Sequence, residues 1–407
     1  MFTKFYRLRN ILSVGTHYTA TAGVVTGAAM LGQPWIFATS IILTGGLSYY
    51  IGKKVNAFAS SSLTQHPDVH EFSPRLGEMV KDLYQKAGLK SDSFEIYDFK
   101  ADKKETIKSE TNSKTSLFND TLRKLFNTMS NTHNAAAMHA GKPIIMISEP
   151  LLKLLDDKEE KAVLAHEFTH AAARHSYLGL PTRLAATAAT LTAGAAYLIA
   201  AVEFPAPLLT ALGAGIATRF IIKKIHPDSH LLDLPEKELT LSNLVKIKKR
   251  KNIINVTGQT VVAAVLTYFS PAILGVYAAF KGIKLAGKII TGTFSRSMEY
   301  QADRGVVDLG ADPLALVTAL RKMTVVMEKS KNEAFGGNVP KAGVLTRSLN
   351  KIIASHPTMA RRIDRLAAMA KKQGADDDSI NKAVSGPISV SNDNNIPYHV
   401  IKELMKL

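Results

Sequence analysis

No residue between Arg9 and Lys53 carries a charge. One helical pass of a bilayer takes about 20 apolar residues, so this stretch can hold two passes joined at Gly32-Gln33-Pro34. A soluble core rarely contains such a length without an ionisable group, so a membrane hairpin is expected rather than a buried helix pair. Lys4, Arg7 and Arg9 precede the stretch and Lys53 and Lys54 follow it, which draws both ends to the cytoplasm. A cleaved signal peptide ending near Ala20–Ala22 would need a stronger apolar core than "ILSVGTHYT". A mitochondrial presequence stays open, because no acidic residue precedes Asp68.

Two further apolar runs lie downstream. Leu184–Thr218 has a single charge, Glu203, near Pro205 and Pro207, and Asn252–Phe280 has none but contains Ser270-Pro271. The segment between them reads as a polar loop rich in cations, among them Lys223, Lys224, Lys246, Lys248, Lys249, Arg250 and Lys251, and belongs on the cytoplasmic side. The first run would then pass out and back, and the second would dip in or cross. The net charge of +17, from 51 basic and 34 acidic residues, fits a membrane surface. Nucleic acid is not expected, since no aromatic interleaving or helix-turn-helix pattern accompanies the cations. Arg361, Arg362 and Arg365 read as a solvated or membrane-facing helix surface.

Outside these runs the chain reads as soluble. Ser73–Gly88 has helical periodicity, and "FEIYDF" (Phe94–Phe99) and "KPIIMIS" (Lys142–Ser148) read as strands. Lys100–His133 is a polar insertion. The chain has no cysteine, so a metal must be held by His, Asp or Glu.

Residues 157–175 read "DKEEKAVLAHEFTHAAARH". Asp157 and Glu160 have capping-box spacing, so a helix is expected to run through His166 and His170. Those two imidazoles then project from one face, one turn apart. That is the way a rigid element offers two nitrogens to zinc, while a catalytic site leaves a position open for water. Glu167 is offset by about 100° from His166, on the flank of that face, where a general base is expected. His175 lies five residues past His170, off the ligand face, and reads as structural. Ser176 and Ala173 exclude the metzincin extension of the motif.

A third ligand must come from elsewhere. "SRSMEYQADRG" (Ser295–Gly305) offers Glu299 on a helix with Ser295 as N-cap and Gly310 as stop, and Asp303 one turn further on could accept a hydrogen bond from a ligand imidazole. By itself Glu299 reads first as a solvated helix position.

"HEFTH" followed by apolar runs and then "SRSMEYQAD" resembles the membrane zinc metallopeptidases of the HtpX and CAAX-prenyl-protease type. The resemblance extends to "NAAAMHAGKPIIMISEPLLKLLDDKEEKAVLAHEFTH" and "SHPTMARRI", and spans about residues 10–370. It implies a mostly α fold with a small β-sheet, a zincin-like catalytic domain, and transmembrane helical hairpins. It implies one Zn2+ per chain on His166, His170 and Glu299. Ala136 replaces a bulky residue of the family's Asn-Ala-x-Ala strand, which would widen a substrate pocket, and the 100–133 insertion is long for the family.

The expected organisation is a membrane hairpin (1–54), the first half of the catalytic domain (55–183), membrane hairpins with a basic loop (184–288), the second half (289–373) and a tail (374–407). Glu167 is expected to be the base, and His356 a donor to the oxyanion. An extended polypeptide would pair with Lys142–Ser148 or Asn134–Ala137. The expected activity is peptide-bond hydrolysis in membrane or membrane-near proteins, in quality control. Processing of defined, for example lipid-modified, substrates and a non-catalytic membrane scaffold are the alternatives. The expected location is a bacterial inner membrane with a cytoplasmic catalytic domain, or else the mitochondrial inner membrane. The sequence leaves the oligomeric state open.

Overall fold

The computed structural model describes residues 69–71, 74–89, 95–99, 132–140, 142–173, 175, 210, 213–221, 241–269, 271–335, 337, 354, 356–388 and 390. The expected 1–54 hairpin, most of 184–218 and almost all of the 100–133 insertion lie outside them. Among the described residues the fold is mostly helical with one small sheet.

The sheet has the order β1-β2-β4-β3, with β1 Val69–Glu71, β2 Glu95–Phe99, β3 Ala135–Ala140 and β4 Lys142–Ser148. β2 and β4 are parallel, and the other two pairings are antiparallel. β4 lies between β2 and β3, so its backbone groups are already used within the sheet. Of the two strands expected to receive an extended substrate, only β3 stands at an edge. Ala136 pairs with Met146 and Ala137 with Ile145. The end of β4 is tied to the start of β3 by one hydroxyl. Ser148 Oγ donates to Thr132 O at 2.6 Å and accepts from Asn134 N at 3.1 Å. It also caps the helix that follows.

Helix α1 is Pro74–Ala87, α2 Glu149–Leu154 and α3 Asp157–Ala172. The N-cap of α3 is Asp156, not Asp157. Its side chain accepts from Lys158 N and Glu159 N, and the Glu159 carboxylate accepts from the Asp156 N–H, completing the box. Both Asp-x-x-Glu pairs fit the pattern. Asp156 takes the cap because it is the residue held in extended backbone, while Glu160 is buried one turn on. α3 is buried on nearly every side, packed by the sheet, α1 and two later helices. Its alanines allow this, since a slim helix admits neighbours on all faces.

α4 is Leu241–Phe269, α5 Pro271–Asp308, α6 Pro313–Ala334, α7 Met359–Lys372 and α8 Asp377–Ser385. Lys246, Lys248, Lys249, Arg250 and Lys251 stand on α4 rather than in a loop. α5 opens on Pro271, a residue that cannot continue the donor ladder of a preceding helix. Ser295 is not an N-cap, because α5 runs through it without interruption from Pro271. The end of α5 matches expectation, with Gly310 at φ 67° in the left-handed region. α8 docks its Ala383 into the core, and Arg321 on α6 donates to Ala383 O and Gly386 O at 2.6 and 2.7 Å. Among the described residues no helix is long and apolar enough to cross a membrane.

α3 and α5 cross at very short range. A Cβ on Gly305 would fall on Thr169 Oγ1 and lie 2.5 Å from its Cγ2. Glycine at this position lets the two helices approach closely enough for their side chains to meet.

Candidate metal centre

Each helix contributes one part of the centre. His166 and His170 come from the middle of α3. Glu299, Ala302, Asp303 and Val306 form the buried stripe of α5 facing it, at helical spacing. His166 Nε2 and His170 Nε2 are 3.2 Å apart. Glu299 Oε2 is 3.8 Å from the first, and Glu299 Oε1 is 3.9 Å from the second. Ligands bonded to zinc at 2.0–2.2 Å in a tetrahedron stand about 3.4 Å from one another. The three groups therefore already stand near metal-binding spacing. They are also the single three-residue group among the described residues that could hold an ion. Nitrogen and carboxylate donors, all buried or nearly so, suit zinc chemistry.

Around this triad lie fixed partners. Asp303 Oδ1 is 3.2 Å from His166 Nδ1. Arg362 clamps the same carboxylate with two bonds, Nη2 to Oδ1 at 2.6 Å and Nε to Oδ2 at 3.0 Å, and its Nη1 lies 3.3 Å from Glu299 Oε2. Arg362 was expected on a solvated surface, and it is buried. Its position on α7 explains why, since it shares a stripe at intervals of four with the buried Leu366 and Ala370. An arginine in register with an apolar stripe was the available signal. Arg365, one turn from Arg361, stacks its guanidinium 4.2 Å over the Tyr300 ring.

His175 is also buried, and it touches the centre. Its Nδ1 is 2.7 Å from His170 Nδ1, and its Nε2 is 2.6 Å from Gln301 Oε1. On the open side, His356 Nδ1 is 3.1 Å from Glu299 Oε1, with most of its side chain exposed. Arg296 Nη1 donates to Ala354 O at 2.7 Å, fastening the chain just before His356 to α5.

The charges are set by burial and by these partners. Burial raises the Glu167 carboxyl above its usual range, against the lowering pull of the neighbouring His166 and Arg362. Burial works the same way on Glu299, but the hydrogen bond from His356 and the neighbouring His170, His166 and Arg362 hold it well down. Burial drives His170 well below 6.5 and His175 to about 4, so both are neutral at pH 7. Arg362 is pushed the other way by Asp303, despite its burial.

Glu167 lies beside the triad, and the Ala137 backbone N–H of β3 hydrogen-bonds its carboxylate. A cleft of about 350 Å³ opens here. Ala135–Ala137 form one wall, the triad and Glu167 the floor, and Leu316, Leu320 and Met323 of α6 an apolar side.

A paired-histidine helix, a carboxylate from a second helix and a buried glutamate at their side define an HExxH metal centre of the peptidase class. The sequence model of peptidase family M48 matches residues 72–221 and 239–370, more than half of the 407 residues, and the chain belongs to that family. Its relatives include proteins named "Protease HtpX homolog". That of Thermodesulfovibrio yellowstonii is 34% identical over 94 residues, which is 22% of this chain and 32% of the relative. That of Arthrobacter sp. is 35% identical over 96 residues, 21% of this chain and 32% of the relative. The chain thus aligns with about a third of the length of these relatives. No solved structure matches it.

Proposed function

We propose that the chain is a zinc-dependent endopeptidase, with one Zn2+ held by His166, His170 and Glu299. The observation that carries this is the convergence of the three groups, with 3.2, 3.8 and 3.9 Å between their donor atoms, from helices far apart in sequence. Zinc, when bound, supplies an acidified water and a Lewis acid for the scissile carbonyl. Glu167 accepts the water proton and later delivers it to the leaving amine. Its burial suits that task, because a base works best with a pKa near the operating pH. His356, at the cleft mouth, donates to the developing oxyanion. Asp303 holds the His166 ring through Nδ1, and Arg362 keeps Asp303 ionised and in place.

The substrate is a polypeptide that lies as an extra strand along β3, which among the described residues is an edge strand and stands next to Glu167. Residues 1–54 and 184–288 bring the centre to a bilayer. Supporting this, Ile216, Phe220, Ile221, Ile253, Val256 and Leu285 are large, apolar and exposed, and all stand on the helix at 213–221, α4 and α5. The reading extends to hydrolysis of membrane or membrane-near proteins in quality control, at a bacterial inner membrane with the centre on the cytoplasmic side.

Metal analysis and casein cleavage in detergent test the proposal together. Purified wild type is expected to hold about one zinc, and Glu299→Ala to lose it. Glu167→Gln is expected to keep the zinc and lose cleavage by about 10²–10⁴-fold. Full cleavage by Glu167→Gln, or zinc retained at wild-type affinity by Glu299→Ala, would refute the assignment.

A further inference from the structure

The two histidines of the triad are held from behind in different ways. His166 Nδ1 faces a carboxylate, Asp303. His170 Nδ1 faces another ring nitrogen, Nδ1 of His175, at 2.7 Å. Two nitrogens at that distance share one proton, so one ring donates and the other accepts. The far end of His175 decides which. Its Nε2 lies 2.6 Å from Gln301 Oε1, an acceptor, so Nε2 carries the hydrogen. The neutral ring has only one N–H, which leaves His175 Nδ1 bare. His170 Nδ1 must then be the donor, and the lone pair of His170 falls on Nε2, facing His166 Nε2 and Glu299.

All three groups are buried or nearly so, and His175 and Gln301 are each 2% exposed, so water does not replace these bonds. The spacing explains why His175 can do this. Five residues past His170 a side chain is off the metal face, and the nitrogen that needs a partner is the one turned away from the metal.

We propose that His175 is a positioning residue, oriented by Gln301, that fixes His170 as the Nδ1–H tautomer and so presents Nε2 to the metal. This rests on the zinc reading above. Gln301 sits on α5 between Glu299 and Asp303, so one helix supplies the third ligand and braces both histidines.

The test is zinc affinity of the full-length chain in detergent, by competition with a chromophoric chelator, together with the absorption spectrum of the cobalt-substituted protein. His175→Phe keeps the ring and removes both nitrogens. It is expected to weaken zinc by about 10–100-fold and to alter the cobalt spectrum, as loss of a partner behind a ligand does. His175→Asn places Oδ1 at the same number of bonds from Cα as Nδ1, and is expected to restore most of the affinity. Zinc bound by His175→Phe as tightly as by wild type overturns the proposal. So does an asparagine variant as weak as the phenylalanine one, since that assigns His175 to packing alone. If circular dichroism shows that His175→Phe does not fold, Gln301→Leu carries the test. It leaves His175 free to adopt either tautomer and is expected to lower affinity, and unchanged affinity overturns the proposal. Wild type that binds no zinc would remove the metal reading itself. Wild-type binding that Glu299→Ala abolishes and His175→Phe leaves intact would remove this inference alone.

Discussion

Replacing Arg362 with methionine isolates the largest buried electrostatic contact at the centre. The Arg362 side chain is 10% exposed and that of Asp303 0%, so the substitution leaves a carboxylate sealed from water without its cation. Two bonds to a charged acceptor are lost, each contributing about 1.5–3 kcal/mol, or about 3–6 kcal/mol together. Breaking a buried pair from one side runs to about 3–5 kcal/mol, in agreement. With each kcal/mol moving the midpoint of a domain this size by about 2–4 °C, metal-free Arg362→Met is expected to melt roughly 6–20 °C lower than metal-free wild type. The partner variant separates a charge effect from lost packing. Arg362→Met with Asp303→Leu removes the sealed Asp303 carboxylate as well and leaves Glu299 with His356 as its partner, so it is expected to recover more than half of the loss. The assay is thermal unfolding of the metal-free single and double variants in one detergent. A drop below about 2 °C for the single variant, or a double variant that falls by the sum of the singles, would refute the clamp.

Gly305→Ala tests the helix crossing. Carbon contacts settle at about 3.5–4.0 Å, so the new methyl group, 2.5 Å from Thr169 Cγ2, must part α3 and α5 by about 1 Å. Overpacking of about 1–3 kcal/mol is offset by up to about 1 kcal/mol of helix propensity. Stability is therefore expected to fall by about 0–2 kcal/mol, while zinc affinity falls roughly ten-fold or more, because metal–ligand bonds tolerate about 0.2 Å. Wild-type affinity in this variant would show that the crossing does not set the ligand distance. His133 tests acid sensitivity outside the centre. Both its ring nitrogens are buried without a hydrogen-bond partner among the described residues, and burial lowers its pKa from 6.5 to about 4. The folded state resists protonation that the unfolded chain accepts at 6.5, so stability is full above that pH and declines as pH falls towards 4. His133→Leu is expected to gain about 1 kcal/mol at neutral pH and to lose less between pH 6.5 and 4. Parallel melting curves for the two proteins across that range would contradict the assignment.

Helix α3 was legible from its residues, because HExxH spacing, an acidic first turn and an Asp-x-x-Glu box all act within one turn or two. The same holds for β2, whose apolar and polar residues alternate, and for β4, whose apolar run reads directly. The cap shifted by one residue because two overlapping Asp-x-x-Glu pairs exist, and only backbone conformation chooses between them. Arg362 was misread because its charge in isolation favours water, and its burial depends on partners on another helix. His175 reads as structural, and only the tertiary structure gives its partners, His170 and Gln301.

Local spacing alone was enough to specify two imidazoles on one helix face, a glutamate beside them, a second carboxylate pair one turn apart, and the uncharged lengths that point to a bilayer. Those features depend only on the 3.6-residue turn and on the cost of placing charge in hydrocarbon. The tertiary structure decided that Glu299 meets His166 and His170 across Gly305, that Arg362 neutralises Asp303, and that His175 faces the back of His170. Such contacts join residues far apart along the chain, and their distances follow from how closely two helices can pack, which no single helix encodes.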